Sequence, residues 1–515
     1  MTGIEIEIKL QLAAQRMGEL RAWLRERAAS SARLRAIYFD TPDRRLAAAG
    51  IALRLRHERG QWVQALKAPA TGTLARLEHE VVVQRGRVDA PPAPDASRHV
   101  EGPMPEALRR VIDRNSPGAG LGAIFETDIR RTTIALRSRR GWVEIALDAG
   151  RIAASGRDPV AVNEVEIELI RGSPLAVVEV ARRMVRSHGA WIDPASKAER
   201  GHLLAAGASR KPPDRARAVR LDPAAGLEHA LATMLAECRR QVLANLAGVA
   251  GDAAYDPEHV HQARVGLRRL RSALRLAGIP RLAALDASAG ALARALGQAR
   301  DRDVLLGTIT PALAQVGAPF VIAATPGAPT DIRGVVRSAP TQLMLLDLLA
   351  AEIELQSAPS ARRSDSPPGE APDPGLHTKE ALEDALARWH RAIRRDARDF
   401  MSLDDDARHR LRRRMKRLRY GAEFCAALWS RKRQRRFIDA LSVAQEALGR
   451  YNDLIVAMTH YHREAEREPR AWFAVGWLRH EADAQAARCA EALAALRACP
   501  APFRRRTTAE TDAPA

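Results

Sequence analysis

Aromatic residues are scarce in this chain: Phe, Trp and Tyr make up 4% of its 515 residues. A core with so few rings must draw on Leu and Ala, which points to long helical stretches. Cysteine is almost absent. Its four thiols, Cys238, Cys425, Cys489 and Cys499, form no Cys-x-x-Cys pair, which argues against a zinc site and fits a reducing compartment. No apolar run approaches the length of a membrane span, and no basic segment leading into an apolar run opens the chain. A cytoplasmic location with no membrane partner is expected. Interleaved aromatic and basic residues, the mark of base-stacking surfaces, are missing, as are helix-turn-helix and finger signatures. Acidic residues are outnumbered: 62 Asp and Glu stand against 82 Lys and Arg, a formal net charge of +20. That surplus favours a polyanion such as nucleic acid, a phosphate polymer or an acidic surface. High-GC coding explains Arg in place of Lys but not the surplus itself.

At this length more than one domain is expected. The first 207 residues read as strands with a few helices. Strands are expected over Ile4–Leu10, Leu34–Phe39, Ile51–His57, Trp62–Lys67, Arg76–Val83, Phe125–Arg137, Trp142–Asp148 and Val162–Ile170, and helices over Gln11–Ala29 and Leu175–His188. Side chains alternate across a strand. Glu5, Glu7 and Lys9 therefore share a face opposite Ile6 and Ile8. Arg54 with Arg56, Glu78 with Glu80, Glu144 with Asp148, and Glu164 with Glu166 and Glu168 repeat the arrangement. Several strands with charge of both signs on one side point to a polar interior that holds an anion and a divalent cation together. Closure into a barrel would put that face inside.

Residues 208–226, with Lys211-Pro212-Pro213-Asp214, read as a linker. From 227 to 497 Ala/Leu/Arg periodicity dominates, broken by a Pro/Gly/Thr-rich stretch over 319–339 and a Pro-rich insertion at 357–375; residues 498–515 form a polar tail. This helical part contains a duplication. His261-x-x-Arg264-x-x-x-Arg268-Arg269-x-Arg271 is matched by His409-x-x-Arg412-x-x-x-Lys416-Arg417-x-Arg419. Leu296-Gly297-x-x-Arg300-Asp301 is matched by Leu448-Gly449-x-x-Asn452-Asp453. The three-and-four spacing puts each basic set along one helix stripe. Like charges there cost a few tenths of a kcal/mol per pair, about 0.2–0.5, so a bound anion that offsets the repulsion is the expected purpose. Arg suits phosphate because its planar fork donates two bonds at once. A solvated face, or histidines bonded to carbonyls in the core, is the plainer alternative. Asp301, Asp303 and Asp453 are read as braces for the Arg side chains, with metal ligation as the other reading.

Motifs in family order make the first 207 residues resemble a CYTH domain, the triphosphate tunnel metalloenzyme family. They are Glu5-x-Glu7-x-Lys9, Tyr38-Phe39-Asp40-Thr41-Pro42, Arg54-Leu55-Arg56, Lys67, Arg76 with Glu78 and Glu80, Phe125-Glu126-Thr127-Asp128 before Arg131, Glu144 through Gly150, Glu164-x-Glu166-x-Glu168, and Ser196-Lys197-x-x-Arg200-Gly201. The region from 227 to 497 resembles a CHAD domain, through its two His/Arg helices, Arg300-Asp301-x-Asp303-Val304 and Arg417-x-Arg419-Tyr420. The resemblance implies an α+β chain: an antiparallel eight-stranded tunnel barrel with packing helices, then an all-α domain of two related halves. It implies an inorganic triphosphatase. Lys9, Arg54, Arg56, Lys67, Arg76, Arg131 and Lys197 would bind phosphoryl oxygens. Glu5, Glu7, Glu166 and Glu168 would hold Mg²⁺ or Mn²⁺, and a second ion would sit near Glu80, Glu144 or Asp148. Glu78, Glu126 and Glu164 are weaker ligand candidates. The basic stripes, from His261, Arg264, Arg268, Arg269 and Arg271 to His409, Arg412, Lys416, Arg417 and Arg419, would bind inorganic polyphosphate, with a polyphosphate granule as a possible setting. Other readings stay open. The tunnel would act on thiamine or nucleoside triphosphate, or cyclise ATP as an adenylyl cyclase; or the protein would be a non-catalytic polyphosphate or nucleic-acid binder.

Overall fold

Two-residue alternation over the first part of the chain builds a closed sheet. The computed structural model describes residues 2–27, 29–70, 74–99, 120–251, 254–297, 304–322, 331–358 and 374–503. Its strands are β1 (Thr2–Gln11), β2 (Ser30–Asp40), β3 (Ala52–Glu58), β4 (Gln61–Pro69), β5 (Ala75–Arg85), β6 (Gly122–Arg137), β7 (Gly141–Ala153), β8 (Val160–Gly172) and β9 (Trp191–Ile192). The order β5-β4-β3-β2-β6-β7-β8-β1 closes through a β1–β5 pairing into an eight-stranded antiparallel barrel, and β9 adds to β1. Every expected strand is present. The short β9 was not foreseen, because two residues carry no period.

Register explains which face turns inward. Ile8, Ile167 and Ile145 are cross-strand partners and are buried on the outer side, where α3 (Leu175–His188) packs against β1, β7 and β8. Leu53 and Leu55 join Phe39, Leu46, Trp62 and Leu66 in a second outer cluster, to which α2 (Arg45–Ala48) contributes Leu46. The charged residues that alternate with these apolar ones are left facing the interior. Helix α1 (Met17–Arg25) starts later than expected, because β1 continues to Gln11, which pairs with Glu164 and Trp191. Helix α4 (Lys197–Ala205) packs on β6 and β7.

The second part is helical: α5 (Leu227–Ala250), α6 (Pro257–Ala277), α7 (Ala283–Ala295), α8 (Ala339–Gln356), α9 (Pro374–Arg398), α10 (Asp405–Phe424), α11 (Arg431–Ala465) and α12 (Trp472–Ala498), with shorter turns between. Within the stretch read as a loop over 319–339, Ile332–Arg337 is helical. Nearly all of the Pro-rich insertion lies outside the described residues, as do Arg300, Asp301 and Asp303. Residues 208–226 contain no helix or strand. No described helix is long and apolar enough to cross a membrane.

The chain divides into two compact units. One contains residues 1–213, 243–255 and 336–353; the other contains 214–242, 256–335 and 354–515. The barrel unit therefore draws on segments far along the chain. Gln342 accepts a bond from the Ile192 backbone N–H at 2.8 Å, Arg337 stacks over Trp191 at 4.1 Å, and Arg182 pairs with Asp347 at 2.6 Å.

Candidate active site

The barrel interior gathers the charged residues that alternation singled out. A cavity of about 70 Å³ is lined by Lys9, Arg54, Arg56, Lys67, Arg76, Arg131 and Lys197, together with Asp148, Glu166 and Tyr38. All seven residues expected to bind phosphate thus meet at one place. Buried cations need partners, and each has them. Arg56 lies 3.1 Å from Glu80, and Arg54 lies 3.5 Å from Glu78 and 3.8 Å from Glu80. Lys67 bridges Glu5 at 2.7 Å and Glu78 at 3.2 Å. Arg76 reaches Glu7 at 3.7 Å, and Lys9 pairs with Glu7 and lies 3.8 Å from Glu166. Arg131 binds Asp148 at 2.6 Å and also pairs with Glu166. Among the described residues the Nε donor of Arg54 is buried without a hydrogen-bond partner, donor capacity that the protein itself leaves unused, whereas Arg56 Nε lies 3.0 Å from Glu58.

Lys197 enters the tunnel from the first turn of α4. Ser196 caps that helix and Glu199 closes a capping box, a Ser-x-x-Glu signal visible in the sequence that predicts the helix start. Gly201 lets the helix approach the sheet: a Cβ there would sit 2.1 Å from the Phe125 ring, which stacks on Tyr38 at 4.4 Å. The Lys197 ammonium stands 2.6 Å from Glu164, 2.7 Å from Asp148 and 2.8 Å from Glu166. Burial opposes its charge, but Glu164, Glu166 and Asp148 outweigh burial and raise its pKa. Glu166 is partly buried; burial opposes its charge too, but Lys197, Arg131 and Lys9 outweigh it and hold the carboxyl well below the usual carboxylate range. Glu164, a weaker candidate in the sequence, is fully buried between Lys197, Arg200 and Gln11.

Glu168 lies two residues beyond Glu166 on the same face of β8. Glu168 pairs in register with Glu7 and with Glu144, and among the described residues it makes no salt bridge. Burial first, then Glu5, Glu7 and Glu78, against the pull of Lys67, push its carboxyl up to about 7. A hard divalent cation relieves that kind of crowding, and all-oxygen ligands suit Mg²⁺ or Mn²⁺. Asp148, Glu164 and Glu166 also bring one ligand oxygen each within 4.8 Å of one another, a grouping that could hold a metal ion. Glu126 is exposed and takes no part in the interior.

In the helical unit, α6 and α10 pack against each other, so the duplicated stripes meet. Lys416 lies within electrostatic reach of Arg264 and Arg268 from α6, Arg412 from its own helix and Asp453 from α11. Gly297 leaves room for Arg264, since a Cβ there would sit 2.7 Å from its guanidinium, whereas Gly449 has nothing within 4 Å. Asp453 braces Arg412 at 3.9 Å, and Asn452 accepts a bond from His409 Nδ1 at 2.5 Å. The other stripe residues are engaged. Arg269 is buried at 2% exposure, donating to Gln241 at 3.2 Å and to the Arg217 carbonyl at 3.0 Å. Arg271 pairs with Asp286 at 2.7 Å, Arg419 donates to Gln445 at 2.7 Å and pairs with Glu423, and Arg417 stacks on Trp389 at 4.6 Å. His261 is partly buried.

Residues 3–201 match the CYTH domain model, and residues 233–462 match the CHAD domain model. The inorganic triphosphatase of Haemophilus influenzae is 27% identical over 208 residues, which are 39% of this chain and 54% of that protein. The chain thus spans about half the length of that curated relative. Among solved structures, the CHAD domain from the plant Ricinus communis is 30% identical, covering 56% of this chain and 98% of that one, with a TM-score of 0.45. A Hippeastrum protein with a dominant triphosphatase activity is 20% identical, covering 40% of this chain and 96% of that one, with a TM-score of 0.28.

Proposed function

Because the chain is a CYTH domain followed by a CHAD domain, we propose that its barrel hydrolyses inorganic triphosphate to pyrophosphate and phosphate, and that its helical part binds inorganic polyphosphate. One observation carries the first half: all seven of the expected phosphate-binding cations line a single interior cavity. Phosphoryl transfer asks mainly for positioning and neutralisation of charge on the phosphoryl oxygens. Arg54, Arg56, Arg76 and Arg131 offer forked donors for bridging and terminal oxygens, and Lys9, Lys67 and Lys197 offer point charges. Glu5, Glu7 and Glu168, with Glu166 beside them, are the residues that would hold Mg²⁺ or Mn²⁺. Such an ion neutralises phosphoryl oxygens and lowers the pKa of a water nucleophile. Among the described residues Tyr38 is the one aromatic residue lining the cavity, and Leu34, Ala36, Ala52, Ile129 and Ala198 line it as well, so the choice between an inorganic chain and a nucleotide or thiamine ester is left to the substrate assay.

Phosphate release measured with triphosphate, long-chain polyphosphate, ATP and thiamine triphosphate, each with Mg²⁺ or Mn²⁺, tests the substrate. Triphosphate is expected to be turned over best, and Glu7→Gln to abolish most of that turnover while the protein stays folded. A preference for ATP, or near-normal activity of Glu7→Gln at low Mg²⁺, refutes the assignment. The polyphosphate half rests on the meeting of the two stripes at Lys416. Replacing Arg264, Arg268, Arg412 and Lys416 with Ala should weaken polyphosphate binding and flatten its salt dependence without slowing triphosphate turnover. Unchanged affinity moves the surface elsewhere, and binding of RNA in preference to polyphosphate restores the nucleic-acid reading.

A further inference from the structure

Strand β1 carries Glu5, Glu7 and Lys9, and one of its edges is covered in two pieces. β5 pairs with Thr2 through Ile6, and β9 takes over at Leu10 and Gln11. The N–H of Asp193, the residue after β9, donates to the Lys9 carbonyl at 3.1 Å. The same short segment leads straight into α4. Asp193 accepts a bond from the Ala195 N–H at 2.9 Å, Ser196 caps the helix, and Lys197 follows with its side chain in the cavity wall. Residues 191–197 thus help to place two of the cavity cations, Lys9 through its backbone and Lys197 through its helix. A strand of two residues has few bonds of its own, and its outer edge must be satisfied when it is buried. Here a side chain does so. The Ile192 N–H donates to Gln342 Oε1 at 2.8 Å, and Gln342 Nε2 donates to the Val336 carbonyl at 2.7 Å. Gln342 is 1% exposed, so solvent has little access to either bond. Arg337 adds a second clamp, lying over the Trp191 ring at 4.1 Å and donating to the Ala250 carbonyl at 2.7 Å.

We propose that Gln342 is a positioning residue for the tunnel: it fixes the outer edge of β9 and so sets the Lys197 ammonium, and with it Lys9, against the phosphoryl oxygens of the bound substrate. This rests on the reading of the barrel as a triphosphatase, and it adds a residue 150 positions from Ile192 in sequence that is not among those lining the cavity. Without the amide, the Ile192 N–H is left buried and unpaired, which the segment relieves by moving toward solvent. A shift on the order of 1 Å in a group that positions the substrate costs up to about a hundredfold in rate.

The test is a double-mutant cycle on the full chain, with triphosphate turnover measured well below the melting temperature of every variant. Gln342→Met, which keeps the volume and removes both bonds, should lower kcat/KM by about 10- to 100-fold. Because Gln342 acts through Lys197, adding Gln342→Met to Lys197→Met should lower it by less than about threefold further. Gln342→Glu, which keeps an oxygen for the Ile192 N–H, should recover part of the loss. Hydrogen exchange over residues 191–197 should quicken in Gln342→Met. A Gln342→Met protein that melts earlier yet keeps wild-type kcat/KM is merely less stable, and overturns the proposal. So does a full additional loss in the double variant, which would place the effect of Gln342 elsewhere than Lys197. Should Gln342→Met fail to fold, Gln342→Asn takes its place in the cycle with the same outcomes, since it keeps an amide but shortens its reach by one methylene. A wild type that binds triphosphate by calorimetry without hydrolysing it refutes the triphosphatase reading alone. The cycle is then read in triphosphate affinity, where additivity again overturns the role of Gln342 and non-additivity upholds it.

Discussion

Raising the pH from about 6 to about 8 should weaken binding of long-chain polyphosphate by the helical unit roughly 50-fold, with Lys416 responsible. Burial first, then Arg412 and Arg268, and more weakly Arg264, push the Lys416 ammonium down to about 6, against the pull of Asp453. At neutral pH the free unit therefore carries this lysine mostly uncharged. A polyanion lying across Arg264, Arg268 and Arg412 reverses the field at Lys416 and favours its charged form, so binding takes up a proton. If the bound pKa rises above about 9, affinity falls by up to one decade per pH unit above the free pKa, and by about 50-fold over two units. Long chains suit the assay because their internal phosphoryl groups stay ionised over this range. Titration calorimetry in buffers with different ionisation heats reads the proton directly. Near pH 8 uptake in wild type should exceed that in Lys416→Met by close to one proton, the mutant keeping only what His261 and His409 contribute. Equal uptake in the two proteins, or a pH-independent wild-type affinity, refutes the reasoning. The sign for stability is opposite. The unfolded lysine keeps its proton to about pH 10.4, the folded one only to about 6. The unit should therefore grow more stable as pH rises between those values and lose that stability as pH falls toward the lower one.

Two further outcomes follow from packing. Gly201→Ala places a Cβ 2.1 Å from the Phe125 ring and should cost about 1–3 kcal/mol through overpacking; a thermal melt indistinguishable from wild type would show that the ring yields freely. A fragment of residues 1–207 lacks Gln342, Arg337 and Asp347, which meet Ile192, Trp191 and Arg182. It should melt well below the full chain or aggregate, and an unshifted melting transition would show that these contacts are dispensable.

Strand and stripe were legible in the sequence because both are local periods. Alternation in Glu5–Lys9, Leu53–Arg56 and Glu164–Glu168 sets which side chains share a face before any partner strand is known, and a barrel whose outer side is apolar leaves the charged face inside. The three-and-four spacing from His261 to Arg271 and from His409 to Arg419 likewise defines one side of a helix. Pairings across the tunnel were not legible, because they depend on register and on side chains from distant strands. That is why the sequence left Glu164 a weaker candidate while the structure sets it against Lys197 and Arg200 and groups it with Asp148 and Glu166, and why Arg269, beside Arg268 in sequence, turns into the core against Phe424. The need of β9 for Gln342 could not be read either, since the two residues lie 150 positions apart. The sequence by itself determined which charges each element presents; only the tertiary structure decided which are neutralised by protein and which are left for a ligand, because neutralisation depends on distances of a few ångströms between elements that no local pattern specifies.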